Sequence, residues 1–239
     1  MQSTQFDEES RALLRQILER QAYRQLVSVN IRGHGLRFLP DLEDKQRFAK
    51  ELDFSIRILR EIERIYESID GENLHLAVRE RMELIPYPES RVELAVCLAL
   101  TERAERVAAR SYVDCVFKDF AAIAKTLLHV DRSDRGREER LLGEFCSEDG
   151  QLPQAQQYWT RWLAISLRSL GRPGTRGDSR AVALRLRSKY CSTVIRAYLD
   201  GLEPLRESCG LQLPAMDDIG IELPEDLRTR FATQTPDSK

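Results

Sequence analysis

Glu51 and Phe54 stand three residues apart in the stretch AKELDFSIRILREIERIY, whose apolar residues recur at helical spacing. On one face of a buried helix, a glutamate followed three residues later by a histidine can hold a metal ion between them. Here phenylalanine takes the histidine's place. Asp131 and Asp134 repeat the spacing further along the chain. Two carboxylates one turn apart can share a hard cation through oxygen ligands. They can equally pair with the arginines that interleave them in DRSDRGREER, namely Arg132, Arg135, Arg137 and Arg140. Other metal chemistry has little to draw on. Only His34, His75 and His129 are present, and the five cysteines (Cys97, Cys115, Cys146, Cys191, Cys209) are widely spaced with no C-x-x-C pair. Such spacing gives neither a zinc site nor a disulfide framework and reads as reduced, buried thiols.

A second group is cationic. RPGTRGDSRAVALRLRSK gathers Arg172, Arg176, Arg180, Arg185, Arg187 and Lys189 around a glycine-containing loop that enters a helix. Guanidinium groups beside a helix N-terminus suit phosphates such as those of coenzyme A. The alternative is a solvated or subunit-facing basic surface. The segment lacks the glycine and lysine spacing of a nucleotide P-loop.

Helices must position these groups. Asp7 is placed to cap a first helix reaching about Arg32, with RGHGLRFLPD as its break and His34 as an exposed imidazole in that loop. Phe48, Leu52, Ile56, Leu59 and Ile62 mark the second helix, which Gly71 stops. NLHLAVRERMEL gives a shorter one before the two prolines of IPYPES. A third long helix follows in ESRVELAVCLALTERAERVAARSY, and DCVFKDFAAIAKTLLHVDRSDRGREERLLGEF reads as a fourth. QAQQYWTRWLAISLRSL is the fifth, with Trp159 and Trp162 as packing residues. RAVALRLRSKYCSTVIRAYLDGLEPLRESCG reads as the last. No stretch alternates with period two, so the chain is expected to be all-α. Long helices in antiparallel pairs imply a bundle over residues 1–214, with additional C-terminal helices and a partly flexible tail over 215–239.

In carboxylate bundles each helical pair supplies one carboxylate from its first helix and a Glu-x-x-His from its second. Thirty residues before Glu51 lies Gln21, and twenty-nine before Asp131 lies Glu102. The two halves therefore correspond as Gln21, Glu51, Phe54 against Glu102, Asp131, Asp134.

The stretches TERAERVAARSYVDCVFKDFAAIAKTLLHVDRSDRGREERLLGEF and QQYWTRWLAISLRSLGRPGTRGDSRAVALRLRSKYCSTVIRAYLDGLEPLRESCGLQLP carry a Trp-rich helix, a Leu-Gly-Arg-Pro loop, an Arg-rich helix and a Cys-Gly-Leu-x-Leu-Pro ending. In these features the chain resembles the phenylacetyl-CoA monooxygenase large and structural subunits, ferritin-like proteins of phenylacetic acid catabolism. The resemblance implies a ferritin-like four-helix bundle. It also implies a degenerate di-iron site, in which Glu51, Glu102 and Asp131 keep carboxylates while Gln21, Phe54 and Asp134 replace the other ligands. The family includes a structural subunit without iron that pairs with an iron-bearing one. The leading expectation is a noncatalytic or binding subunit without a cofactor. The alternatives are an oxygenase or hydroxylase holding one Fe or Mn through Glu51, Glu102, Asp131 and Asp134, and a helical protein of unrelated function.

Charge and composition narrow the partners. A net charge of -2 and a pI near 6.0 argue against nucleic-acid binding. The chain has no apolar run long enough to span a bilayer, and MQSTQFDEESR lacks the form of a signal peptide, so a cytoplasmic protein is expected. Apolar residues beyond one stripe in YWTRWLAISL and VIRAYLDGL imply a homodimer or a heteromeric partner subunit, with an acyl-CoA as ligand.

Overall fold

The computed structural model describes residues 7–82, 85–129 and 135–232. Within them the chain is all-α. Eleven helices follow in order: α1 (Glu8–Gly35), α2 (Leu42–Ser68), α3 (Leu74–Met82), α4 (Arg91–Arg110), α5 (Lys118–His129), α6 (Arg135–Ser147), α7 (Leu152–Ser169), α8 (Arg176–Ala183), α9 (Cys191–Ser208), α10 (Met216–Ile219) and α11 (Glu225–Ala232). No strand occurs among the described residues. No described helix is long and apolar enough to cross a membrane.

The chain forms two compact units. The first takes residues up to Tyr87 together with Ala109–Leu128 and Ser179–Ser188, and the second takes Pro88–Ala108, His129–Asp178 and Lys189 onward.

The first unit is organised by the α1–α2 hairpin. Asp7 caps α1 by accepting from the Ser10 amide at 2.8 Å. The Ser10 side chain, and after it this amide bond, lowers the Asp7 pKa from its ordinary value. The helix runs through Gly33 and His34, one turn past the expected break. A glycine within a helix costs only about 1 kcal/mol, and Ile31 and Arg32, both buried, hold this turn in place. His34 is therefore a helical residue, half-buried, with its ring 4.8 Å from that of Tyr87.

Contacts across the hairpin fix an antiparallel register. Arg11 meets Asp70, Arg15 donates to the Ile69 carbonyl, Tyr66 donates to Glu19, Ser28 meets Ser55 and Arg32 meets Glu51. The turn after α2 is built on Asp70 at φ 62° and on Gly71, whose amide donates to the Tyr66 carbonyl at 2.9 Å. A Cβ on Gly71 would lie 2.6 Å from that oxygen, so the close approach requires glycine. Leu14, Leu18, Ile31, Phe48, Ile62, Val78 and Phe120 make up much of this unit's core.

The second unit packs around Trp159 and Trp162, both fully buried on α7, with Leu94 and Leu100 of α4 and Ile195 and Tyr198 of α9. The Tyr198 hydroxyl donates to the Leu100 carbonyl at 3.2 Å. Pro204 lies inside α9 and cannot donate the usual backbone bond. One turn earlier the Gly201 carbonyl accepts from Arg103, which also pairs with Glu139 of α6. Within 215–232, Met216–Ile219 and Glu225–Ala232 are helical. Ile219, Leu223, Leu227 and Phe231 are buried, so α10 and α11 belong to this unit's core.

The expected fourth helix is described over α5 and α6, and residues 130–134 lie outside the described residues. The expected last helix is divided into α8 and α9. Between these, Arg185 adopts φ 57°, and its carbonyl accepts from the Val116 amide at 3.0 Å while the Ser188 amide donates to Ser111. The start of α9 is satisfied by Asp178, whose carboxylate accepts from the Cys191 amide at 3.0 and 3.1 Å. Tertiary hydrogen bonds outweigh a helical propensity that runs unbroken through ALRLRSKYC.

Candidate functional site

The hairpin register decides how the first set of candidate ligands is placed. Glu51 sits across from Arg32, near the loop end of the hairpin. Gln21 lies three helical turns away from that level, about 16 Å along α1 at about 1.5 Å per residue. The register sets Gln21 opposite Ile62, a fully buried apolar residue. Gln21 and Glu51 are thus not brought to one point, and counting thirty residues back misjudges the hairpin because the connection from Leu36 to Asp41 shifts its midpoint. Gln21 is buried and accepts from Arg24 at 2.8 Å. Its amide nitrogen finds no partner. Phe54 is half-buried with the Arg57 guanidinium 5.9 Å from its ring.

In place of a metal, Glu51 has a cation from its own chain. Arg32 donates from Nε to Glu51 at 2.8 Å and from Nη1 to Ser28, and Ser28 and Ser55 meet at 3.2 Å. The Arg32 side chain is 2% exposed and that of Glu51 is 23% exposed. Gln21, Arg24, Gln25, Ser28 and Arg32 are spaced by three or four residues, so a polar seam runs along the α1 face that looks onto α2. All but Ser28 are buried. Sequence reading missed this seam. Its signal is available in hindsight, since α1 lacks a clean polar face opposite its apolar one while α2 has one.

The second set is only partly within view. Glu102 is half-buried on α4. Asp131 and Asp134 lie outside the described residues. The helix that carries Glu102 is rich in ion pairs. Arg91 grips Glu138 of α6 through both guanidinium nitrogens at 2.7 and 3.3 Å, and Arg103 pairs with Glu139. Glu93, fully buried, accepts from Arg161 at 2.8 Å, from the Trp162 indole at 3.1 Å and from the Glu89 amide at 2.9 Å. Ser90 completes the arrangement by accepting from the Glu93 amide, giving a capping pair at the start of α4. Among the described residues, no group of three or more His, Cys, Asp or Glu side chains could hold a metal ion.

The cationic segment divides between the units. Arg180 is held by Glu9 through two hydrogen bonds, from Nε at 2.8 Å and from Nη2, and this partner raises its pKa. Arg187 is buried, with its guanidinium carbon 5.8 Å from the Tyr112 ring centre. These two of the six expected anion-binding residues are engaged within the fold: one bridges α8 to the start of α1 and the other packs in the core. Arg172, Arg176 and Lys189 are exposed in the second unit, and Arg185 is exposed in the first.

No protein-family model matches this chain. No curated protein matches it either.

Proposed function

We propose that this protein is a noncatalytic, ferritin-like helical subunit or binding protein, related to the structural subunits of phenylacetyl-CoA monooxygenase and working without a di-iron centre. The observation that carries this reading is the Arg32–Glu51 pair. A guanidinium satisfies the carboxylate that would otherwise be the strongest ligand of the first helical pair, and Phe54 offers no donor one turn on. A metal ion at Glu51 would have to displace a buried arginine and leave it without its counter-charge, which is strongly unfavourable. The ligand class this reading implies is an acyl-CoA, whose phosphates the exposed Arg172, Arg176 and Lys189 can meet. The partner is a second copy or a related helical subunit.

Metal analysis of protein purified from iron- and manganese-supplemented culture tests the reading. Trace metal is expected, and stoichiometric iron or manganese that Glu51→Gln removes would overturn it. Light scattering addresses the partner: a monomer that captures no related subunit would remove the second half of the proposal.

A further inference from the structure

The Gln21 side chain is held in one orientation inside the first unit. It is 1% exposed, and its Oε1 accepts from Arg24 Nη1 at 2.8 Å. A guanidinium only donates, so the amide oxygen turns to Arg24 and the amide nitrogen turns away. That nitrogen carries two hydrogens and has no hydrogen-bond partner among the described residues. An interior donor left unmet is costly, and the missing acceptor calls for an explanation.

The hairpin does not supply it. The register set by Ser28 with Ser55 and Arg32 with Glu51 brings Ile62, Leu59 and Ile58 of α2 to this level, and all three are buried and apolar. One turn earlier on α1 stand Ile17 and Leu18, also buried. The polar groups at this level are therefore donors, an amide nitrogen and the Arg24 guanidinium behind it. Arg24 is itself 7% exposed, so its charge acts in a medium that screens it weakly.

We propose that Gln21 and Arg24 form an interior site for a small inorganic anion of the size and charge of chloride. Gln21 Nε2 donates to the ion, and Arg24 both fixes the amide and attracts the negative charge. The burial of both residues restricts the occupant to a small one. The polarity is the reverse of a metal site: where a ligand carboxylate would draw a cation, Gln21 presents a donor beside a positive charge. Neither the acyl-CoA nor the partner subunit of the proposed function draws on these two residues.

Urea unfolding of the full chain in sodium chloride and in sodium gluconate at equal ionic strength tests the site, because gluconate is too large to enter. The wild-type midpoint is expected to rise with chloride, saturably, beyond its response to gluconate, as for any ligand that binds only the folded state. Gln21→Met keeps the length of the side chain, removes the donor, and should abolish that difference. Equal responses of the wild type to the two salts, or a chloride effect that survives Gln21→Met, would overturn the proposal. Anomalous diffraction from wild-type crystals grown in bromide gives a readout that needs no variant. A peak within hydrogen-bonding distance of Gln21 Nε2 is expected, and a water or no occupant at that position would equally overturn the site.

Discussion

The Arg32–Glu51 pair of the first unit and the helix-start carboxylates Glu93 and Asp178 of the second bury charge in different ways. In the first unit, Arg32 and Glu51 meet across the hairpin, side chain to side chain. In the second, Glu93 and Asp178 are buried at helix beginnings. Glu93 takes a backbone amide as well as Arg161 and Trp162, and Asp178 takes the amide of Cys191. The free amides and positive end of a helix stabilise a carboxylate wherever the rest of the fold places it. A pair across a helical hairpin depends wholly on register. The second arrangement rests on helix-start amides together with distant donors; the first depends on the packing of two long helices.

The sharpest test of that difference is to remove one member of the hairpin pair. Glu51→Ala would take the carboxylate from a guanidinium that is almost fully covered, and we expect a loss of about 3 kcal/mol in urea unfolding. Arg32→Met should cost less, because Glu51 is partly exposed and can recover water. The double variant Arg32→Met/Glu51→Leu should lie closer to wild type than Glu51→Ala does. A double variant that loses the sum of both single effects would mean that the two residues act independently.

Trp162→Phe probes the second unit. It keeps most of the buried ring and deletes the indole donor to Glu93, so a loss of about 2 kcal/mol is expected for a buried hydrogen bond to a charged group. Glu93 retains Arg161 and the Glu89 amide, which should hold the effect below that of Glu51→Ala. If Trp162→Phe proves the more damaging change, helix-start carboxylates are not the better supported of the two.

Asp178→Ala removes the cap at the start of α9, and about 1 kcal/mol is the expected cost. Asp178→Asn should restore most of it, since the amide oxygen still accepts from Cys191. Equal losses in the two variants would show that the charge, and not the hydrogen bond, matters there.

What could be read from the sequence follows the same division. The Asp7 cap, the stop at Gly71 and the burial of Trp159 and Trp162 depend on neighbours within a turn or on apolar spacing, and each is present as expected. The break at Arg185 was illegible because its cause, hydrogen bonds with Ser111 and Val116, lies some seventy residues away. The placing of Gln21 and Glu51 failed for a related reason. Equal spacing along two sequences says nothing of where a hairpin folds back, and the polar seam of α1 carries no motif.

The smallest expected effect concerns acid. Glu203 at the end of α9 accepts from Arg206 at 2.6 and 3.3 Å, and that hydrogen bond lowers its pKa from the ordinary value. A depressed carboxylate contributes stability that is present above its unfolded pKa, near 4, and is lost as pH falls through the folded value. Asp7 behaves in the same sense through its Ser10 bonds. Glu203 is substantially exposed, so solvent screens the pair and the contribution is a few tenths of a kcal/mol. Chemical unfolding of Glu203→Gln at pH 7 and at pH 3 should show a slight deficit at pH 7 that closes at pH 3. A deficit that widens on acidification would reverse the sign and place the helix-end pair among contacts that favour the protonated acid.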